Sequence, residues 1–185
     1  MNSMDKDREL RETPVARERI FDGKIIDVER WTVRLPDGGE APREVVLHRG
    51  AAAVVAVDKD NFVTLVRQHR VAADEITLEI PAGKLDSAGE DPFVCAQREL
   101  EEETGLRAKR WHPLTTILTT PGFSSERIAL YLATDLTSAK AHPDEDEFLR
   151  VVRMPLKEAV AMVMHGELRD AKSAVALLLA DKLLG

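Results

Sequence analysis

The sequence contains a single cysteine, Cys95, among 185 residues. One thiol cannot form a disulfide within the chain or supply a cysteine-rich zinc site, so we expect a protein of a reducing compartment. No stretch approaches the run of about 18 apolar residues that a membrane-spanning helix requires. Residues 1–13 are polar and lack the apolar core of a signal peptide. The sequence therefore predicts a cytoplasmic protein that does not associate with a membrane.

The sequence has fewer basic than acidic residues, with 26 Lys and Arg against 33 Asp and Glu, and its net charge is −7. Such a chain lacks the basic surface that binding to nucleic acid requires. A polyanionic small molecule could be bound only with the help of local arginines or a metal ion. Hydrophobic residues make up 44% of the chain, which is enough for a core, and the length predicts one main domain.

The N-terminal part is predicted to form a small β segment of its own. Residues 1–18 are charged and weakly patterned, which indicates a frayed tail. The β-branched stretch 24–35 and the returning strand 44–48 flank a Pro-Asp-Gly-Gly turn and predict an antiparallel pair. We therefore expect a boundary between residues 1–48, the tail and β segment, and residues 49–185, the main domain.

The main domain is predicted to mix strands and helices without strict alternation, which favours a layered α/β or α+β fold. Its clearest helix begins at Pro92 after the N-cap residue Asp91 and ends near Thr104, before Gly105. The other predicted elements are a buried hairpin over 51–57 and 62–66, strands at 76–80, 109–117, 127–134 and 148–154, and helices from 155 and over 171–184.

The helix after Pro92 has three glutamates on one face, because Glu99, Glu102 and Glu103 are spaced at i, i+3 and i+4. Two interpretations of this face are open. It could be an acidic surface in contact with solvent, which is what most runs of glutamate are. It could also be a site for a hard cation, because carboxylates without Cys or His favour Mg²⁺ or Mn²⁺.

The residues around this helix closely resemble the signature of the Nudix hydrolases, which cleave nucleoside diphosphates linked to another moiety. The signature consists of Gly, five residues, Glu, seven residues, and then Arg-Glu-apolar-any-Glu-Glu-any-Gly-apolar. Seven residues separate Glu90 from Arg98, and residues 98–106 match every specified position. The one departure is that six residues, not five, lie between Gly83 and Glu90, which we interpret as an insertion in the loop before the helix.

The resemblance implies a Nudix α/β/α sandwich with a mixed sheet and a divalent metal ion, Mg²⁺ or Mn²⁺, at the glutamate face. Glu99 and Glu103 match the principal ligands of the family, and Glu102 assists them. The backbone carbonyl of Ala82 is expected to join this set. Arg98 is expected to orient a neighbouring glutamate, such as Glu90, through an ion pair.

A general base must accept the proton of the attacking water. The resemblance places this base on the acidic loop 141–147, where Glu145 matches best and Glu147 is the alternative. Some relatives use glutamates of the signature helix instead, which keeps Glu102 among the catalytic candidates. Without the resemblance, an acidic turn of this kind would be taken as solvated.

Similarity beyond the signature is closest to the ADP-ribose pyrophosphatase branch. Residues 79–85 resemble the loop of that branch, and residues 127–136 resemble its following strand. Pro121 lies fifteen residues after Leu106, a position where proline marks specificity for ADP-ribose in the family. Arg70 matches a substrate-binding arginine whose planar fork suits phosphate or ribose oxygens.

Enzymes of this branch are homodimers whose N-terminal β segments exchange. Arg43 and Glu44 match a pair that reaches the substrate from the partner subunit, although a charged strand entry would look the same. Trp31 is a candidate for stacking on the adenine, with core or dimer packing as the alternative.

The resemblance implies a function in which ADP-ribose is hydrolysed to AMP and ribose 5-phosphate. Hydrolysis of another nucleoside diphosphate sugar, such as GDP-mannose, or of a dinucleotide is the first alternative. A ligand sensor without turnover is the second, although such proteins tend to lose the glutamates that this sequence keeps. Lys172 and Ser173, which begin the last predicted helix, could face the site but receive no role.

Overall fold

The structure of the protein is a computed structural model that describes residues 7–87, 89–142 and 148–185. The chain forms two compact units. The first comprises Met1–Arg49 and Thr120–Glu126, and the second comprises Gly50–Thr119 and Arg127–Gly185. None of the helices within the described ranges is long and apolar enough to cross a membrane.

A three-stranded antiparallel sheet forms most of the first unit. Its strands, in spatial order, are β1 (Thr13–Asp22), β2 (Ile26–Arg34) and β3 (Glu40–His48). A short 3₁₀ helix, Arg8–Leu10, precedes them. The segment Thr120–Glu126 lies beside β3, where the Val46 N–H donates to Phe123 O at 2.7 Å and the Ser125 N–H donates to Val46 O at 2.9 Å.

Strand β1 corrects the expected frayed tail, because it begins at Thr13 inside the region 1–18. Every residue of β1 is exposed in this unit. A strand with no buried face has no reason to alternate polar and apolar residues, so its sequence does not show the usual pattern of period two. Pairing with β2 through backbone hydrogen bonds defines the strand instead.

A seven-stranded mixed sheet forms the centre of the second unit. Its strands are β4 (Ala51–Val57), β5 (Phe62–Arg70), β6 (Glu75–Glu79), β7 (Ala82–Lys84), β8 (Leu106–Leu118), β9 (Arg127–Ser138) and β10 (Leu149–Pro155). The main path is β10-β5-β4-β9-β8, with β6 paired to β5 and β7 paired to β4. Only β4 and β9 run parallel, among the pairs within the described residues.

The predicted hairpin of β4 and β5 is paired only near its turn, at Ala56 with Thr64 and Val57 with Val63. Beyond that point the two strands take different neighbours. Strand β7, which the sequence did not predict, pairs with the first half of β4, while β6 pairs with the second half of β5. This opening of the hairpin brings the backbone of β7 into the centre of the unit.

Helices cover both faces of this sheet. They are α1 (Pro92–Thr104), α2 (Leu156–Met164) and α3 (Ala171–Leu184). Alternate residues of β4 point to opposite faces: Val55 packs in the cluster with α2 and α3, whereas Val54 packs in the cluster with Leu100 of α1. Burial on both faces explains the continuous apolar run of β4. The predicted fold class, an α/β/α sandwich with a mixed sheet and a small antiparallel β segment, is confirmed.

Helix α1 has the predicted bounds, because both ends are determined by local chemistry. The Asp91 carboxylate accepts a hydrogen bond from the Phe93 N–H at 2.9 Å, and Pro92 occupies the first turn. At the other end Gly105 adopts φ 67°, a left-handed conformation that favours glycine, and its N–H donates to Glu101 O at 2.8 Å.

Candidate active site

The glutamate face of α1 is buried, not solvated. Glu99 and Glu103, one helical turn apart, are 7% and 3% exposed, while Glu102 is half-buried. These carboxylates lie inward because the same side of α1 packs on the sheet through Cys95, Ala96 and Leu100. Burial of two carboxylates this close is costly unless cations or hydrogen bonds compensate them. The arrangement therefore favours a binding site over a surface helix.

The backbone of β7 receives both buried carboxylates. A Cβ atom added to Gly83 would lie 1.9 Å from Glu99 Oε1 and 2.1 Å from Glu99 Cδ, so only glycine allows that carboxylate its position. The neighbouring Ala82 N–H donates to Glu103 Oε2 at 3.2 Å. The strand that sequence patterns missed thus positions the two predicted principal ligands and brings Ala82 beside them.

Arg98 lies among the glutamates and pairs with several of them. Its Nη1 donates to Glu99 Oε1 at 2.6 Å and to Glu102 Oε2 at 3.0 Å, while Nη2 donates to the Lys84 carbonyl at 3.3 Å. The predicted ion pair with Glu90 is present at 3.6 Å, longer than the pairs with Glu99 and Glu102. Burial opposes the charge of Arg98, but Glu99 and Glu102 outweigh it and raise the pKa of the guanidinium.

The donor atoms at this face fit a hard divalent cation. Within the described ranges, no three His, Cys, Asp or Glu side chains are arranged as a complete ligand set. The guanidinium of Arg98 lies at this face and binds oxygens of Glu99 and Glu102. The buried carboxylates of Glu99 and Glu103 nevertheless supply oxygen ligands only, and Gly83 leaves no side chain in the space against Glu99. Mg²⁺ and Mn²⁺ prefer such ligands.

Cys95, which also lies on α1, has no catalytic character. It is fully buried in the core. Burial, together with the nearby charge of Glu99, raises the pKa of its thiol to about 12. The thiol is therefore protonated at neutral pH, and a cysteine nucleophile is excluded.

A second group of charged residues surrounds Glu79, at the end of β6. Arg70 donates from Nε and Nη2 to the two oxygens of Glu79, each at 2.7 Å, and Lys172 of α3 donates to Glu79 Oε2. Burial alone would raise the pKa of Glu79, but the Arg70 hydrogen bonds and the Lys172 charge lower it to about 2. Arg70, a predicted substrate residue, also has its pKa raised, mainly by Glu79 and partly by the charge of Glu103.

Sequence reasoning missed Glu79 and left Lys172 without a role. The strand Ile-Thr-Leu-Glu-Ile alternates apolar and polar residues, so Glu79 stands where a solvent-facing residue is usual and the local pattern does not indicate its burial. No local pattern indicates that Lys172, 93 residues further along the chain, is its partner.

In the first unit, Trp31 and Arg43 are cross-strand neighbours on β2 and β3. The guanidinium of Arg17 lies 4.1 Å from the centroid of the Trp31 ring, and the Trp31 Nε1–H donates to Glu29 Oε2 at 2.6 Å. Arg43 forms an ion pair with Glu12, which includes a 2.9 Å hydrogen bond from Nε. Both predicted substrate residues therefore have polar partners inside this unit.

Glu44 is separated from Arg43 by the pleat of β3, since successive side chains of a strand point to opposite faces. It lines a cavity of about 320 Å³ within the first unit, and the walls are Ile20, Val28, Glu29, Arg30, Glu44, Val45, Val46 and Phe123. Pro121 lies in the turn closed by the Ser124 N–H donating to Thr120 O at 2.9 Å, next to this wall.

The predicted site residues thus belong to both units. Trp31, Arg43, Glu44 and Pro121 are in the first, whereas Arg70, Ala82, Glu99, Glu102 and Glu103 are in the second. The candidate bases Glu145 and Glu147 lie outside the described residues, between 142 and 148.

Comparison with known proteins agrees with the fold. The family model described as NUDIX domain matches residues 46–176. An ADP-ribose pyrophosphatase of Bacillus subtilis (strain 168) is 42% identical over 172 residues, 92% of each chain, and a methanol dehydrogenase activator of Bacillus methanolicus is 39% identical over 168 residues, 90% of each. A crystal structure of an ADP compounds hydrolase superposes with a TM-score of 0.83 at 25% identity, covering 94% of both chains.

These matches cover most of the chain, and the protein belongs to the Nudix family.

Proposed function

We propose that this protein is an ADP-ribose pyrophosphatase, which hydrolyses the pyrophosphate bond of ADP-ribose to AMP and ribose 5-phosphate. The observation that supports the reaction most directly is the pair of buried carboxylates, Glu99 and Glu103, held against the backbone of Ala82 and Gly83. The choice of ADP-ribose is supported by the similarity to the Bacillus subtilis ADP-ribose pyrophosphatase over 92% of this chain.

We assign Glu99 and Glu103 as the principal ligands of Mg²⁺ or Mn²⁺, with Glu102 and the Ala82 carbonyl completing the set. When bound, the divalent cation neutralises the pyrophosphate and makes water a stronger nucleophile. The chain itself carries a net charge of −7, which is unfavourable for an anionic substrate without such help. Arg98 supports the face by holding the orientation of its glutamates.

The general base is assigned to Glu145, with Glu147 as the alternative and Glu102 as the candidate on α1. A base must come within hydrogen-bond reach of the attacking water. Single substitutions of the three glutamates by glutamine distinguish them, because loss of the base removes the low-pH limb of the pH–rate profile, where the base becomes protonated, while metal binding persists.

We further propose a homodimer in which residues 1–48 form the dimerisation segment. Strand β1 is exposed on every residue, and Val15, Ile20 and Phe21 on it are exposed apolar side chains that a partner could cover. Covering these side chains by a partner would remove apolar surface from water, which favours association. We assign substrate binding to Trp31, Arg43, Glu44, Arg70 and Pro121, in a cytoplasmic enzyme.

The test is a panel of candidate substrates with Mg²⁺, in which a phosphatase releases phosphate from any nucleoside monophosphate or sugar phosphate formed. The panel contains ADP-ribose, GDP-mannose, ADP-glucose, NADH, flavin adenine dinucleotide and a nucleoside triphosphate. Preference for ADP-ribose, abolished by a chelator, is the expected result. Preference for another member would contradict the assigned substrate, and binding of ADP-ribose without any turnover would indicate a sensor.

A further inference from the structure

Arg70 is held by an acceptor of matching shape. Its Nε and Nη2 atoms donate two parallel hydrogen bonds of 2.7 Å to the two oxygens of Glu79. A bidentate pair of this kind determines the plane of the guanidinium as well as its position. The Arg70 side chain is 43% exposed, whereas that of Glu79 is 3% exposed. The buried carboxylate of Glu79 therefore binds the Nε and Nη2 side of the Arg70 guanidinium. The N–H groups on Nη1 point away from this carboxylate.

Glu79 is itself held by two further side chains. The hydroxyl of Thr77 donates to Glu79 Oε1 at 2.6 Å, and the ammonium of Lys172 donates to Oε2. Lys172, in the first turn of α3, is about nine-tenths buried and also donates to Asp170 Oδ1 at 3.0 Å. The positive charges of two residues are therefore neutralised by two carboxylates, in a cluster that joins the ends of β5 and β6 to the start of α3. Its members are Arg70, Lys172, Glu79 and Asp170.

Stability alone is a weak reason for such a cluster. Buried ion pairs contribute little net stability compared with apolar side chains of the same volume, because each charge must be removed from water. The core next to this cluster is apolar and could accept such side chains, as Ile80, Leu168 and Leu177 show. The hydrogen bonds to Glu79 are the main cause that raises the pKa of Arg70, and the charges of Asp170 and Glu103 add to it, so the guanidinium lies within electrostatic reach of Glu103 on α1.

We propose that Glu79 and Lys172 are positioning residues that fix the guanidinium of Arg70 so that its Nη1 edge binds an oxygen of the phosphate or ribose of the substrate. This inference rests on the proposed function in one respect, the contact between Arg70 and the substrate. Lys172 acts through Glu79, and Glu79 acts through Arg70, so neither touches the substrate. If Glu79 is replaced by a neutral residue, the Arg70 guanidinium loses one of its two charge-assisted hydrogen bonds, and the Arg70 side chain samples other rotamers.

The experiment is a double-mutant cycle of Arg70→Ala and Glu79→Gln, with KM and kcat measured for each variant. We expect Glu79→Gln to raise KM about tenfold with kcat changed less than twofold, since the contact concerns binding and not the chemical step. In the Arg70→Ala background, Glu79→Gln is expected to change KM no further, because its only route to the substrate has been removed. Multiplicative effects on KM would overturn the proposal.

Glu75→Gln is the matched control. Glu75 is on the same strand and lies opposite Arg70 in the register of β5 and β6, but it is exposed and its carboxylate forms an ion pair with Arg169, just before α3. We expect the KM of this variant to equal that of the wild type. Lys172→Arg is expected to keep KM within about twofold, because it retains the charge, while Lys172→Met is expected to raise it. Thermal melting of each variant confirms that the protein assayed is folded.

Calorimetric titration of ADP-ribose in the presence of a chelator separates this inference from the proposed function. Weaker binding to Glu79→Gln than to the wild type supports the positioning role even if no ADP-ribose is hydrolysed, which would refute the function alone. Equal binding and equal KM refute the positioning role while leaving the function intact. A wild-type protein that neither binds nor hydrolyses ADP-ribose refutes both.

Discussion

Replacement of Gly83 by alanine tests the glutamate face with one methyl group. The added Cβ would lie 1.9 Å from Glu99 Oε1, 2.1 Å from Cδ and 2.6 Å from Oε2. Ordinary van der Waals contact begins at 3.4 Å, so the carboxylate must move by about 1.5 Å, the difference between 3.4 and 1.9 Å. The clashing atoms belong to the end of the Glu99 side chain. We therefore expect the Glu99 carboxylate to move and the backbone to stay in place.

The expected loss of activity follows from this displacement. A catalytic group misplaced by about 1 Å can cost about 100-fold in rate, equivalent to about 3 kcal/mol of transition-state stabilisation. We therefore expect kcat/KM of Gly83→Ala for ADP-ribose to fall at least about 100-fold and its affinity for Mn²⁺ to fall as well. The alanine backbone itself is not strained, since Gly83 has no positive φ, so any change in melting temperature reports the displacement of Glu99.

The assay compares kcat/KM, Mn²⁺ binding by calorimetry and the melting temperature of Gly83→Ala with those of Gly89→Ala. Gly89 lies in the loop before the same helix, and a Cβ there would meet nothing within 4 Å. We expect the control to keep wild-type activity. A folded Gly83→Ala protein with wild-type kcat/KM would refute the assignment of Glu99 in this position as a metal ligand.

The remaining predictions concern charge, acid stability and assembly. Glu103→Gln should lower kcat by about 100-fold or more while circular dichroism and melting stay close to wild type; retained turnover would contradict its role as a ligand. Because its pKa is lowered from 4.5 to about 2, Glu79 should contribute up to about 3 kcal/mol of stability above pH 4.5 that is lost as the pH falls towards 2, and urea unfolding should show this loss in the wild type but not in Glu79→Gln. Sedimentation should show a dimer, and a fully active monomer would exclude Arg43 and Glu44 of a partner from the site.

Local chemistry explains how much could be predicted without the structure. The bounds of α1 depend on contacts within a few residues, such as the Asp91 cap and the left-handed Gly105, so they can be inferred from neighbouring letters. The common face of Glu99 and Glu103 follows from helical spacing alone. Strands with a buried face, such as β4, can be predicted from their apolar residues, because buried positions require apolar side chains.

Features that depend on partners far along the chain were not predictable in this way. Strand β1 has no buried face and β7 has only three residues, so neither shows a pattern; both are defined by the strands that pair with them. Similarly, the ion pair of Arg43 joins it to Glu12, 31 residues earlier, which no local pattern indicates.

By itself the sequence determined the fold class, the Nudix signature and the glutamates expected to bind metal, since each follows from patterns among residues close together in the chain. Only the tertiary structure decided that β7 would receive Glu99 and Glu103, and that Lys172 would reach Glu79 across 93 residues to hold Arg70. The physical reason is that helix spacing and capping act over a few residues, whereas the burial and pairing of charges depend on which distant segments pack together.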